Sequence, residues 1–213
     1  MFWAWERPGD LRGLPKSAGA AFLAISIQLR DGAVRAVPRF QPLQLSPGAF
    51  RMAVVRIEAA RPALSATERH AAVGMILDAV RATRPDALQI DFDARVSERP
   101  FYSSLLHELR TKTPEGLFLS ITALVSWCGA KSWLDALPVD EVVPMTFEMG
   151  SATASAETLL RTGGNFENPA CRGSIGISMG DLESRPKNFR RTYVFAYEDW
   201  TASLMRSVLA RFR

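Results

Sequence analysis

Apolar residues along this chain occur in short runs, and segments with helical spacing separate most of these runs. The runs predict eight β-strands, at Phe2 to Trp5, Ala20 to Leu29, Arg51 to Ile57, Asp86 to Asp93, Leu117 to Val125, Glu141 to Phe147, Ser174 to Ser178 and Tyr193 to Tyr197. Apolar spacing and capping residues predict helices at Ser65 to Pro85, Ser97 to Pro114, Trp133 to Leu137, Ser155 to Arg161 and Trp200 to Phe212, with a helical turn at Asp10 to Leu14. This alternation favours a parallel sheet with right-handed crossovers.

Eight such strands predict the α/β class and a compact (β/α)8 barrel of the TIM type, with residues 1–213 forming one domain. The chain has 213 residues, which is near the lower size limit of this barrel, so some helices are expected to be short or missing. The proline-rich segment from Asp31 to Gly48 is expected to replace the second helix with an extended loop. An open doubly wound sheet is the alternative, but no glycine-rich phosphate loop follows the first strand.

The fourth predicted strand carries acids on one face. Gln89, Asp91 and Asp93 alternate with the apolar residues of the opposite face, which can pack against covering helices. Carboxylates are rarely buried unless they are paired, bind a metal or act in catalysis. The strand therefore predicts a functional site at its end. The structural alternative is a pair of acids neutralised by arginines.

The carboxyl ends of barrel strands meet at one mouth, where active sites of this fold lie. Near this mouth the sequence predicts acidic and aromatic side chains, namely Trp5, Glu6, Glu58, Trp127, Phe147, Glu148, Tyr197 and Glu198. Aromatic rings stack on the apolar faces of sugar rings, and carboxylates bind hydroxyl groups or transfer protons. We therefore expect an oligosaccharide or polysaccharide as the ligand.

Composition excludes several other classes. The net charge of +4 is dispersed along the chain, so nucleic-acid binding is not expected. No apolar run reaches the length of about 18 residues that a membrane span needs. The first residues do not form a signal peptide, which leaves the cytoplasm, or the periplasm or cell surface if a leader was removed. We expect a monomer with no cofactor.

The cysteines and histidines are few. Cys128 follows the fifth predicted strand and Cys171 precedes the seventh, so they are expected near opposite ends of the barrel and to be free thiols. The alternative is a disulfide between them, which requires the loop before the seventh strand to fold back. His70 and His107 both fall on predicted helices. Two histidines are too few for a histidine-rich metal site, and no metal site is expected.

Two segments carry a family resemblance. Asp86 to Asp93 resembles the fourth-strand motif Asp-Gly-x-Asp-x-Asp-x-Glu of family 18 glycoside hydrolases, the chitinase-like barrels. Met145 to Glu148 is similar to their sixth-strand motif Met-x-Tyr-Asp. The resemblance implies that Asp93 is the general acid and Asp91 the carboxylate that orients the substrate. It also implies that Met145 forms the floor of the site and Glu148 a supporting acid.

The sequence is more similar to a bacterial family of unknown function, DUF3142. Its members carry similar strings over most of the chain, around Trp3 to Pro8, Gln89 to Ala94, Ser120 to Ala123 and Pro138 to Glu141. This resemblance implies a glycosidase-like barrel but no established reaction.

The chain departs from the chitinase-like pattern at three positions. Gln89 replaces an acid, Asp93 is one methylene shorter than glutamate, and Phe147 lacks the tyrosine hydroxyl. An N-acetylhexosamine substrate is therefore not implied. The first hypothesis is glycoside hydrolysis, with Asp93 as the acid because nearby Asp91 repels its ionised form. Its partner is left open among Asp91, Glu148 and Glu58.

Two alternatives remain. The three departures favour a catalytically inactive glycan-binding protein with the same mouth. A third hypothesis is a magnesium-dependent phosphohydrolase, in which Asp91, Asp93 and Glu148 would supply hard oxygen ligands to the ion.

Overall fold

The computed structural model describes residues 1–60, 63–130, 132–147, 162–183 and 185–212. Its strands, in chain order, are β1 (Phe2–Ala4), β2 (Gly9–Leu11), β3 (Gly19–Arg30), β4 (Ala33–Pro38), β5 (Leu43–Leu45), β6 (Phe50–Ala59), β7 (Ala87–Asp91), β8 (Phe118–Leu124), β9 (Glu141–Met145), β10 (Ser174–Ser178) and β11 (Arg191–Phe195). The described α-helices are α1 (Ala66–Thr83), α2 (Arg99–Lys112) and α3 (Ala202–Ala210). Short 3-10 helices cover Val96–Glu98, Val125–Trp127, Trp133–Ala136, Pro169–Arg172 and Met179–Asp181.

Eight of the strands form a closed parallel barrel. Their order around the barrel is β1, β3, β6, β7, β8, β9, β10 and β11, and β11 pairs again with β1. The predicted (β/α)8 barrel is confirmed, with its strands in the predicted chain order. All eight carboxyl ends meet at one mouth, which is the geometry that the predicted site requires.

The segment after β3 differs from the predicted extended loop. β4 turns back antiparallel to β3 and pairs with its second half, from Ile25 to Arg30. β5 pairs with β2 in a small separate sheet, so the helical turn predicted at Asp10 to Leu14 is also wrong. β3 is longer than β1, which pairs with β3 only as far as Phe22. Beyond that residue the backbone groups of β3 on this side would lack partners, and β4 supplies them by pairing with Ile25 to Arg30.

The first two predicted helices are confirmed. Ser65 caps α1 through a reciprocal pair of hydrogen bonds with Glu68, as its sequence predicts. His70 and His107 lie on α1 and α2. The helix predicted at Ser155 to Arg161 lies outside the described residues. None of the helices that the structure describes is both long and apolar enough to cross a membrane.

The barrel has two apolar layers. Alternate strand residues point outward to the helices, and Leu88, Ile90 and Phe92 do so on β7 and directly after it. The others point inward and fill the barrel, chiefly Trp3, Ala21, Met52, Val54, Ala87, Val143, Tyr193 and Phe195. Because side chains of a strand alternate between faces, Gln89 and Asp91 share the inward face of β7 with Ala87.

Cys128 and Cys171 form a disulfide with their Cα atoms 5.9 Å apart, so the predicted free thiols are wrong. Cys171 precedes β10, but the segment that contains it lies against Cys128. The amide of Asn168 donates a hydrogen bond to the carbonyl oxygen of Cys128 at 3.0 Å, which holds the two segments together. Strand order alone could not predict this return of the chain.

Candidate site at the mouth of the barrel

The centre of the site is one arginine between two aspartates. Arg56 on β6 pairs in register with Asp91 on β7, and its Nη1 lies 3.0 Å from Asp91 Oδ2. Its Nη2 lies 2.9 Å from Oδ2 of Asp93, two residues past Asp91. The structure thus brings together the two predicted acids, and it adds a cation that the sequence analysis did not single out.

The two aspartates have unlike surroundings. The side chain of Asp91 is 6% exposed, and its Oδ1 accepts a hydrogen bond from the Thr122 hydroxyl at 2.7 Å. Burial raises the pKa of Asp91 above its ordinary value, although Arg56 opposes the shift. The side chain of Asp93 is 48% exposed and reaches the mouth. The structure therefore places the stronger desolvation at Asp91, whereas the sequence analysis expects the protonated acid at Asp93.

A polar network continues from Gln89 toward the other end of the barrel. Gln89 Nε2 donates to Ser120 Oγ at 2.8 Å, and the Ser120 hydroxyl donates to Glu141 Oε2 at 2.8 Å. Gln89 Oε1 is buried and has no hydrogen-bond partner among the described residues. Gln89 thus lies beneath the aspartates and links the site to the barrel interior.

Glu141 is the hub of this network at the amino ends of the strands. Its carboxylate also accepts hydrogen bonds from Ser174 Oγ, Tyr193 Oη and Arg191 Nη1, each at 2.6 Å. The Glu141 side chain is 3% exposed. Burial, followed by the charge of Glu141, raises the pKa of Tyr193 far above its ordinary value. This cluster therefore lies at the end of the barrel opposite the mouth.

The residues predicted on β9 lie next to an apolar wall. Phe147 follows the strand and its ring centroid is 4.6 Å from that of Phe195. Met145 pairs with Gly176 on β10, where a Cβ would come within 2.5 Å of the methionine sulfur. Gly176 is therefore needed for Met145 to fill this part of the barrel. Glu148 lies outside the described residues.

The end of β1 is fastened to the segment after β4. Glu6 Oε1 accepts hydrogen bonds from the amides of Phe40 and Gln41, both at 2.8 Å. Arg39 donates to the carbonyl oxygens of Ala4, Trp5 and Arg7. Glu6 thus holds a loop in place, while the ring of Phe40 on that loop is 75% exposed.

Phe40 is not among the site residues that the sequence predicts, because its position next to β1 depends on the unpredicted strand β4. Trp5 at the end of β1 is half-buried, and its ring centroid lies 5.4 Å from that of Trp3. Tyr197, just past β11, is 60% exposed. Since β11 and β1 are neighbours and Arg39 joins the Phe40 loop to β1, these aromatic residues follow one arc of the rim.

The other predicted rim residues have different surroundings. Trp127 is buried at 4% exposure and its ring packs 5.0 Å from that of Trp133, so it belongs to the outer core. Glu58 is exposed two residues beyond Arg56, which places it about 6.6 Å farther along the extended strand. Glu198 is exposed and lies beside Trp5 and Trp200. The structure therefore does not bring Trp127 and Glu58 into the Asp91 cluster.

The contacts of Arg56 bear on the magnesium hypothesis. A guanidinium paired with both Asp91 and Asp93 takes the position that a cation shared by these carboxylates would need. Within the described ranges, no group of three or more histidine, cysteine, aspartate and glutamate side chains could hold a metal ion. The donor set of the described site therefore does not fit a divalent cation.

Comparisons with known proteins agree with the fold. The family model described as "Domain of unknown function (DUF3142)" matches residues 48–150, which include β6 to β9 and both aspartates. No curated protein matches the sequence. Among solved structures, the chain is similar to the Bacillus cereus spore cortex-lytic enzyme SleL, with a TM-score of 0.50 and 17% identity.

That similarity covers 84% of this chain and 49% of the SleL chain, so this chain spans about half the length of that structure. At this identity it shows a shared fold alone. The predicted resemblance to DUF3142 is confirmed over residues 48–150, and the likeness to SleL is consistent with the barrel fold.

Proposed function

We propose that this barrel, as one domain and a monomer, binds an oligosaccharide or polysaccharide at its mouth. The observation that carries the proposal is the cluster of Asp91, Arg56 and Asp93, which presents a half-exposed carboxylate and a guanidinium at the carboxyl ends of β6 and β7. Carboxylate oxygens accept hydrogen bonds from sugar hydroxyls, and guanidinium groups donate them. The site therefore offers both kinds of partner that a polyol needs.

The aromatic arc of the rim supports the same ligand class. Phe40 and Tyr197 expose their rings to solvent, and Trp5 lies at the intervening strand end. Aromatic faces of this kind pack on the apolar faces of pyranose rings. The likeness to SleL adds support by analogy, since SleL is a spore cortex-lytic enzyme.

The contacts of the two aspartates favour binding over turnover. A general acid must hold a proton within reach of the leaving group. The ion pair with Arg56 requires the carboxylate form of Asp93, and both oxygens of Asp91 already accept hydrogen bonds. Arg56 therefore holds the pair in an arrangement suited to a ligand and poorly suited to proton donation.

Hydrolysis of glycosidic bonds is the second candidate, and the raised pKa of Asp91 favours it. Glycosidases divide the acid and base roles between two carboxyl groups with unlike surroundings, as Asp91 and Asp93 have here. In this version Asp91 would be the acid and Asp93 the nucleophile or base. Glu148 stays a predicted partner.

A panel of oligosaccharides separates the two candidates. We expect wild-type protein to bind at least one of the chitin, glucan, galactan and uronic-acid oligomers, with no product detected by mass spectrometry. Asp93→Asn is expected to retain measurable affinity, and Asp78→Asn on the exposed surface of α1 is the matched control. Product formed by wild type and lost in Asp93→Asn would establish hydrolysis instead. Absence of both binding and product across the panel would overturn the proposal.

Removal of the Phe40 ring tests the aromatic arc. We expect Phe40→Ala to weaken oligosaccharide binding about 5-fold, the size of one aromatic stacking contact. Its melting temperature should stay near that of wild type, because the ring is 75% exposed. Phe212→Ala, which removes an aromatic ring that is 41% exposed past the carboxyl end of α3, is the control. Equal affinity of Phe40→Ala and wild type in calorimetric titration would remove Phe40 from the site.

The disulfide supports one of the two locations left open by the sequence. Disulfides persist in oxidising compartments and are rare in the cytosol. The Cys128–Cys171 bond thus favours the periplasm or the cell surface, where polymeric glycans are also found in contact with proteins.

A further inference from the structure

Arg99, the first residue of α2, stacks against two indole rings. Its Cζ lies 5.4 Å from the ring centroid of Trp133 and 5.9 Å from that of Trp127. Across the described part of the chain, no carboxylate lies within ion-pair distance of this guanidinium. Arg99 is therefore held by aromatic rings and has no counter-ion among the described residues. Arg56 at the centre of the site, by contrast, is paired with two aspartates.

Three buried polar atoms around Arg99 lack hydrogen-bond partners among the described residues. They are Arg99 Nε, Trp133 Nε1 and Glu98 Oε1. The residue Glu98 is 2% exposed, and its other carboxylate oxygen accepts the Arg95 amide at 2.7 Å. Buried polar atoms without partners are rare in folded proteins and costly. Glu98 Oε1 lies 3.9 Å from Arg95 Nη1, so this oxygen has a cation beside it. The two donors, Arg99 Nε and Trp133 Nε1, therefore indicate a place for an acceptor group of a ligand.

The position of these residues ties them to the mouth. Arg99 comes after the end of β7, and Trp127 and Trp133 follow the end of β8. Loops after the strands of a (β/α)8 barrel form its mouth, and β7 and β8 are neighbours in the sheet. Arg99 thus lies at the same end of the barrel as Asp93, since both follow the end of β7.

We propose that Arg99, held against Trp127 and Trp133, binds the carboxylate of an acidic sugar, so that the ligand of the mouth is a glycan containing uronic-acid-type residues. A guanidinium binds a carboxylate through two parallel hydrogen bonds, and a half-buried cation without a counter-ion gains most from such a partner. The inference rests on the proposed glycan binding and specifies the class of glycan.

Matched ligands test this inference. Tetramers of galacturonic, glucuronic and mannuronic acid are titrated into wild-type protein beside their carboxyl-reduced neutral counterparts. We expect at least one acidic tetramer to bind about 10-fold more tightly than its neutral form, as a charge-assisted contact provides. Rising salt concentration should reduce this preference in wild type. Neutral chitin, glucan and galactan oligomers in the same series report on glycan binding itself.

Variants assign the preference to Arg99. Arg99→Gln should lose it and bind acidic and neutral tetramers alike, while Arg99→Lys should keep part of it, since the charge remains without the planar fork. Arg81→Gln, with the same change of charge in the last turn of α1, should behave as wild type. Neutral oligomers bound as tightly as acidic ones would overturn the inference alone. Absence of binding to every oligomer would overturn the proposed function with it.

Discussion

Glu141→Ala is expected to lower the free energy of unfolding by about 4 kcal/mol, the cost of removing one partner from a buried charged pair. The substitution removes the acceptor to which the hydroxyls of Ser120 and Ser174 donate. It also leaves the Arg191 charge and the Tyr193 hydroxyl without the carboxylate. Urea unfolding at neutral pH, followed by circular dichroism, measures the loss.

Two further variants make this result specific. Glu141→Gln keeps the shape and one acceptor oxygen, so a smaller loss of about 2 kcal/mol is expected. Glu115→Ala changes an exposed glutamate and should lie within about 0.5 kcal/mol of wild type. If Glu141→Ala unfolded at the same urea concentration as Glu115→Ala, the buried network would not stabilise the barrel.

Arg56→Gln is expected to reduce the unfolding free energy at pH 7 by about 3 kcal/mol, near the lower end of the range for breaking a buried ion pair, since Arg56 is partly exposed. The loss should shrink as the pH falls toward 4. Asp91 already has a raised pKa in the folded protein, so its contribution to stability is full below the ordinary value of 3.8 and is lost as the pH rises. In Arg56→Gln the pKa of Asp91 rises further, so the loss of unfolding free energy is larger at neutral pH than at pH 4.

Stability curves from pH 4 to pH 8 for wild type, Arg56→Gln and Arg35→Gln check this sign. Arg35 is exposed on β4, so its variant should follow the wild-type curve. A constant difference between Arg56→Gln and wild type at every pH would mean that Arg56 acts by packing alone. The same variant should also weaken glycan binding if the cluster lies at the centre of the mouth.

The sequence pattern predicts the barrel because each strand and helix can be recognised from residues close together in the chain. Alternate residues of β7 sort into an apolar outer face and a polar inner face, and the capping residues of α1 mark its start. The pattern misses β4 because the existence of this strand depends on the length difference between β1 and β3. Such a difference appears only when strands that are distant in sequence are placed side by side.

Of the central cluster, the sequence predicts only those residues that lie close together in one segment of the chain. Asp91 and Asp93 stand out within one strand, whereas the role of Arg56 depends on the register between β6 and β7. The structural alternative, acids paired with arginine, describes these contacts correctly. Arg56 shares a strand face with the inward residues Met52 and Val54, so the alternation of β6 by itself indicates that its side chain faces the barrel interior. The disulfide depends on a loop that turns back, for which the sequence holds no periodic pattern.

The barrel is closed by a strand of only three residues. β1 pairs with β3 at three positions and with β11 at two, so this narrow seam keeps the flanking strands from being open edges. Unpaired strand edges recruit other chains and lead to aggregation. Deletion of Phe2 to Ala4 is therefore expected to cause aggregation, measured by light scattering, at concentrations where the intact chain stays dispersed.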